Sequence, residues 1–584
     1  MKRRSFIKAT GSLAMLACLA PLFTFAGISE AAGKTRVLVN GKIYTVNKKQ
    51  PWAEAVVIKD NKIAYVGDNA GARKFAPAGE IEDLGGKFMM PGLIDGHVHP
   101  VLAVVLKSMI RFTPQNSVDD IKRIIKEYMA KYPDLPAYCG MGWMDALFGV
   151  EGPKKEFLDE LCPDKPMILL SGSGHVAWCN SKAFEIAKVD KNTPDPDKES
   201  GIYYYRDKDG NPTGYIKESG CINHILNSAQ YINEDFLNKD AKEFMERCAK
   251  LGFTGMVDCG SYDFCVYLMH DNLKEALDAP EAVFRMTASG YLTNKINVQT
   301  SFDEIKLLNS KYQSDRFRCY AMKVLNDGTL ENFSAAMPNY PEGMPPVRPV
   351  MSADDLEKWG IELAKAGLDL NVHAVGSLTV HAVLEAAGRL RAKGYKDIRI
   401  ECSHTGYVFT EDLPLFKKYN VVANFTPKWV SAMTAMMAEQ NKTTSELDEI
   451  KKWESDISQA HAYPIGSIQR TGARVSFSSD YPQDVHTFEP MEILEVALTR
   501  QTVGDRNSYI NEPEDRIQLP EAIEAYTINN AYLMHMEDKI GSIEAGKYAD
   551  MIVLDHNLFE TDPYEIHNVN VVETIMDGVT RFKK

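Results

Sequence analysis

Gly92-Leu93-Ile94-Asp95-Gly96-His97-Val98-His99-Pro100 is the stretch on which the fold turns, an apolar run that ends in two histidines one residue apart. In an extended strand the side chains at i and i+2 leave the same face, so both imidazoles can reach one metal ion. By itself a His-x-His is weak evidence, because two exposed histidines on an ordinary strand read the same way. Its weight depends on what else in the chain falls at equivalent places.

Outward from this stretch, short apolar strands are predicted at about 93–98, 253–258, 283–289, 319–325, 368–373, 398–403, 420–424 and 474–479. Most of the gaps hold a helix-like segment, such as Ala353 to Ala366 with Leu356, Trp359, Leu363 and Ala364 at helical spacing. Eight alternating β and α units read as a (β/α)8 TIM barrel, an α/β fold, over 93–534. The first gap is too long for one crossover helix, so a large insertion of its own structure is expected at about 102–245, over one barrel mouth. Residues 33–92 carry hairpin signals at Asn40-Gly41 and Asp60-Asn61, and 535–584 has the same strand-rich texture. Neither end has enough strands to bury a sheet alone, so the two are expected to meet in one small β-sandwich.

The chemistry-bearing residues fall at the ends of these predicted strands. His97 and His99 end the first, Lys323 the fourth and His373 the fifth, while His404 follows the sixth and Asp480 the eighth. In this fold, chemistry collects at the carboxyl ends of the strands. Singly, Lys323 reads as a surface lysine, His373 and His404 as satisfied buried histidines, and Asp480 as a helix N-cap. Six such residues at matching ends point instead to a metal site. Imidazole nitrogens with one carboxylate suit zinc, and manganese, iron or nickel fit the same ligands.

With these residues in place, the sequence resembles the amidohydrolase superfamily, in its amidohydrolase-3 branch. The resemblance rests on Pro91 to His99, Gly142-Trp143, His175 to Ser181, Thr193 to Pro196, and Asp209 to Gly214 leading to Glu218. It continues through Met322-Lys323-Val324 before Asp327-Gly328, Val372 to Gly376, Ser478-Ser479-Asp480 and the tail Gly541 to Leu554. It implies that His97 and His99 hold one metal and His373 and His404 a second, with Lys323 bridging them as a carboxylated lysine; a single-metal site is the competing version. It further implies that Asp480 ligates the first metal and acts as the base for a metal-activated water.

The sequence departs from the family pattern in three places. Ser377 stands where an aspartate is common, Cys402 and Ser403 intervene before His404, and Asn424-Phe425-Thr426-Pro427 lacks the usual glutamine before proline. Trp143, His175, Trp178 and Glu218 of the insertion, with Trp429, are candidates for lining or capping the substrate pocket, and His175 for a hydrogen-bond donor that orients the substrate.

Composition bounds the partners. The 584 residues carry a net charge of −14, and since the first 32 hold four basic residues against Glu30, the remainder is near −17. That balance argues against nucleic acid or an anionic membrane as partner. Lys2-Arg3-Arg4-Ser5-Phe6-Ile7-Lys8 ahead of the apolar stretch Leu13 to Phe25 resembles a twin-arginine export signal over 1–32, so a periplasmic or secreted protein without stable membrane insertion is expected. Ten scattered cysteines with no Cys-x-x-Cys pair read as buried thiols.

The expected function is an exported metal-dependent hydrolase that cleaves a C–N bond in a small non-peptide amide, N-formyl or N-acyl, with a homodimer compatible with the sequence. Ester or lactone hydrolysis and deamination are the enzymatic rivals. Deamination ranks lower because His381-Ala382-Val383-Leu384-Glu385 does not supply the His-x-x-Glu pattern of deaminase relatives. The rival from another class is a periplasmic solute-binding protein on a non-catalytic scaffold.

Overall fold

The computed structural model describes residues 35–584 apart from 114, 150, 230–233, 261–269, 293–297, 331–332, 341–345, 431–451, 453–454 and 483–487. The leader-like segment 1–32 lies outside the described residues. Eight parallel strands form the central sheet: β1 Leu93–Val98, β2 Phe253–Asp258, β3 Arg285–Leu292, β4 Phe317–Leu325, β5 Asp369–His373, β6 Ile400–Ser403, β7 Val421–Phe425 and β8 Val475–Phe477. They follow one another in chain order around a (β/α)8 barrel. Both faces of the sheet are covered, which is why the strands are buried along their length and apolar rather than alternating.

Polar groups from the opening motif close the seam between β8 and β1. The Asp480 N–H donates to the His97 carbonyl at 2.9 Å, and the Ser479 N–H to Asp95 Oδ1 at 3.0 Å. Asn530 Nδ2 donates to both the Phe477 carbonyl (2.8 Å) and the Ile94 carbonyl (2.5 Å). Gly96 faces this seam, where a Cβ would come within 2.5 Å of Asn530 Oδ1 and 2.6 Å of Ser476 Oγ. No larger residue fits between Asp95 and His97 without parting the strands.

The two chain ends meet in a β-sandwich. Phe88–Pro91, which leads into β1, pairs antiparallel with Met551–Leu554. These strands belong to a six-stranded sheet, and a four-stranded sheet built from Thr35–Val39, Ala55–Lys59, Lys62–Gly67 and Glu80–Asp83 faces it. Leu38, Val56, Met89, Met551 and Ile575 share the apolar layer between them. The buried Arg285 at the foot of β3 pairs with Asp550 at 3.0 Å and with Asp577, fastening barrel to sandwich.

The insertion carries its own six-stranded sheet, from Ile110–Arg111 to Pro212–Lys217, with a separate apolar core. Helices Pro100–Lys107 and Glu234–Leu251 lie against each other, and the second packs on β2 as a barrel helix does. Eight cysteines among the described residues are free thiols, all buried. No helix among the described residues is long and apolar enough to cross a membrane.

Candidate active site

The six strand-end residues converge at the carboxyl mouth of the barrel and line one cavity. All are buried, from Lys323 and His97 at 1% exposure to His99 at 7%. Asp480 Oδ1 lies 3.3 Å from His97 Nε2 and 3.2 Å from His99 Nε2. Lys323 Nζ is 3.4 Å from His97 Nε2. The His404 ring is 4.7 Å from that of His97 and 4.5 Å from that of His373, centroid to centroid. The two residues inserted before His404 therefore do not carry it out of the site. Just past β6, His404 (φ 70°) and Thr405 (φ 42°) turn through the left-handed region.

Backbone and carboxylate acceptors aim two of the rings. His99 Nδ1 donates to the Gly260 carbonyl at 2.6 Å, and His373 Nδ1 donates to Asp327 Oδ1 at 3.0 Å, which leaves each Nε2 to act as ligand. Asp327 is itself fixed, because it also accepts from the Val375 N–H (3.1 Å), the Gly376 N–H (2.8 Å) and Thr379 Oγ1 (2.8 Å). Replacing Asp327 by alanine is expected to loosen metal binding about 10- to 100-fold, read by competition with a chromophoric chelator.

The donor set fits a divalent metal. His404 Nδ1 and Asp480 Oδ1 are buried with no hydrogen-bond partner, a costly arrangement unless an ion completes it. His97, His99 and Asp480 each offer a ligand atom, all within 4.8 Å of one another. Burial pushes the His97 and His404 imidazoles well below the ordinary 6.5, and neighbouring cationic groups add to this, keeping them in the neutral, ligating form. Burial also lowers Lys323, against the pull of the surrounding thiols and carboxylates. Beneath the mouth, Glu401 is pushed up to about 7 by burial and is held by Asn371 Nδ2 (2.9 Å) and Ser403 Oγ (3.2 Å).

The pocket candidates divide. His175 and Trp429 line the cavity, and Trp429 stacks on His404 at 4.6 Å with the rings 3° from parallel. Glu218 sits behind His175, its Oε2 2.8 Å from His175 Nδ1. Trp143 and Trp178, expected as pocket walls, belong instead to the insertion's own core. They meet edge to face at 6.2 Å, and their indole N–H groups donate to the Leu169 and Lys154 carbonyls. A six-stranded sheet needs large apolar side chains to fill its covered face, and these two supply them. Ser377 donates through Oγ to the Ser458 carbonyl at 2.8 Å.

Sequence reasoning gave no role to Asp327, Glu401, Asp95 or the Gly260 carbonyl. Asp327-Gly328, just past a strand end, was one available signal. Asp95 stands inside the opening motif, whereas Glu401 and the Gly260 carbonyl have no signature, since a backbone carbonyl and a strand-interior carboxylate look alike in any sequence.

The chain belongs to the amidohydrolase family, whose model matches residues 80–582. It is a metal-dependent hydrolase acting on carbon–nitrogen bonds. It is 28% identical to the exoenzymes regulatory protein AepA of Pectobacterium carotovorum subsp. carotovorum, over 79% of this chain and 96% of that protein. It is 24% identical to the N-substituted formamide deformylase of Arthrobacter pascens, over 94% of this chain and 98% of that enzyme. Among solved structures, an uncharacterized metal-dependent hydrolase from Pyrococcus furiosus shares the fold, with a TM-score of 0.64, 24% identity, and coverage of 91% of this chain and all (100%) of that one.

Proposed function

We propose that the protein is an exported hydrolase that cleaves the C–N bond of a small non-peptide amide, an N-formyl or N-acyl amine. The observation that carries this reading is the convergence of His97, His99, Lys323, His373, His404 and Asp480 on one buried cavity. The full-length likeness to a formamide deformylase supports the choice of bond. The imidazole donors and one carboxylate favour zinc, and Lys323, whose Nζ lies 3.4 Å from His97 Nε2, would be the residue to bridge two ions once carboxylated to a carbamate.

When bound, the metal polarises the substrate carbonyl and lowers the pKa of water. Asp480, between His97 and His99, accepts the proton of the attacking water and returns it to the departing amine. His99 and His373, tethered through Nδ1, hold their Nε2 atoms in place throughout. Trp429 and His175 wall the chamber above them.

The test is metal analysis of the purified protein followed by a screen of N-formyl amines, N-acyl amines, esters and lactones. Amine release in proportion to metal content is expected. Turnover of esters alone would reassign the bond, and a metal-loaded protein that binds a solute tightly but hydrolyses nothing would end the enzyme reading. For export, cell fractionation should find the wild type outside the cytoplasm and the Arg3→Lys/Arg4→Lys variant retained inside.

A further inference from the structure

Resting on the reading of the site as a C–N hydrolase, we infer that Trp429 is a specificity determinant whose indole N–H binds an oxygen that the substrate carries in addition to its scissile carbonyl. The substrates are then amides with an ether, carbonyl or carboxylate oxygen on one arm. Plain alkyl amides are poorer substrates.

Trp429 stands just past β7, and its ring lines the metal cavity. Three contacts fix its place. Its backbone N–H donates to the Thr426 carbonyl at 2.9 Å, and the preceding Lys428 is ion-paired with Glu492 on the helix Pro490–Thr499. The indole itself lies flat on the His404 imidazole, 4.6 Å away and 3° from parallel. Stacking engages the faces of the two rings and leaves the edge of the indole, where Nε1 sits, for polar contact.

That edge is unmatched. Trp429 is 8% exposed, and its Nε1 is buried with no hydrogen-bond partner. A buried indole N–H ordinarily finds one. The two tryptophans of the insertion's core do so, Trp143 donating to the Leu169 carbonyl at 2.8 Å and Trp178 to the Lys154 carbonyl at 2.9 Å. Trp429 differs from both in lining the cavity. Leaving such a donor unmet is costly, so the arrangement favours a ligand that brings an acceptor to it.

The indole nitrogen donates and never accepts, so what it selects is a lone pair, which an amide substrate supplies through oxygen. The scissile carbonyl oxygen does not serve, because in the hydrolase reading the metal polarises it. A second oxygen is therefore required. An all-carbon arm in its place leaves the N–H buried and unpaired, and a site built around a hydrogen bond discriminates against the analogue that cannot form it.

The test uses the metal-loaded protein and pairs of amides of equal length that differ by one oxygen. The formamides of methoxyethylamine and methoxypropylamine, set against those of butylamine and pentylamine, probe the amine arm. The methoxyacetyl and butanoyl amides of butylamine probe the acyl arm. Each pair is compared as kcat/KM where it is hydrolysed and as Kd by calorimetry where it is not. Wild type should favour the oxygen-bearing member of at least one pair about 10-fold. Trp429→Phe, which keeps an aromatic ring against His404 but has no N–H, should bring that ratio toward unity with metal content unchanged. Trp429→Leu should also lose the preference, and it serves if the phenylalanine variant does not fold. A wild type without a preference in any pair, or a preference that survives these substitutions, overturns the inference. A preference seen in Kd and lost with the indole, without turnover of any compound, leaves the inference standing and removes the hydrolase reading instead.

Discussion

Replacing Asp480 by asparagine is expected to leave the metal content of the purified protein unchanged and to lower kcat about 10³-fold. The amide oxygen of asparagine can still face the imidazoles that Asp480 Oδ1 meets at 3.3 and 3.2 Å, so the ligand geometry survives. It cannot take up a proton. The defect should appear in kcat, with KM little changed, because ground-state binding does not use the proton transfer. Parallel loss of metal and activity would show instead that Asp480 acts only as a ligand. Melting curves of both proteins separate these outcomes from misfolding, since the backbone of Asp480 also closes the barrel seam through the His97 carbonyl.

The second large effect concerns Lys323. Replacement by alanine is expected to lower metal stoichiometry by about half and turnover by about 10²-fold or more, because the proposed carbamate supplies an anionic ligand to each ion. Nζ already lies within 3.4 Å of His97 Nε2, close enough that one added carboxylate reaches the ligand cluster. Activity of the wild type prepared without CO2 should rise on adding bicarbonate, and short carboxylic acids should partly restore Lys323→Ala by filling the vacated place. Metal content indifferent to the substitution would refute the bridge.

Much of the fold was legible because it is written in local pattern. Each barrel strand announces itself as a short apolar run, since a sheet covered on both faces has no polar side to interrupt it. The first candidate ligands were legible for a similar reason, as His97 and His99 share one strand face. What misled was context. Trp143 and Trp178 stand in motifs beside pocket residues, yet only the packing of the insertion's sheet shows that they fill its own core. The packing of Pro100–Lys107 against Glu234–Leu251, and of the latter on β2, is likewise a contact that spacing along the chain does not encode.

The sequence by itself determined the alternation of strands and helices and the strand-end positions of the candidate ligand residues, and it led to the expectation that both chain ends meet in one small β-sandwich, all from spacing along the chain. Only the tertiary structure decided which partner each of those residues meets. Asp327 against His373, the Gly260 carbonyl against His99, Glu218 against His175 and the left-handed turn at His404 are contacts between residues far apart in sequence or set by a single dihedral. Hydrogen bonds are short and directional, so the protonation and aim of each ring follow from distances that periodicity does not encode.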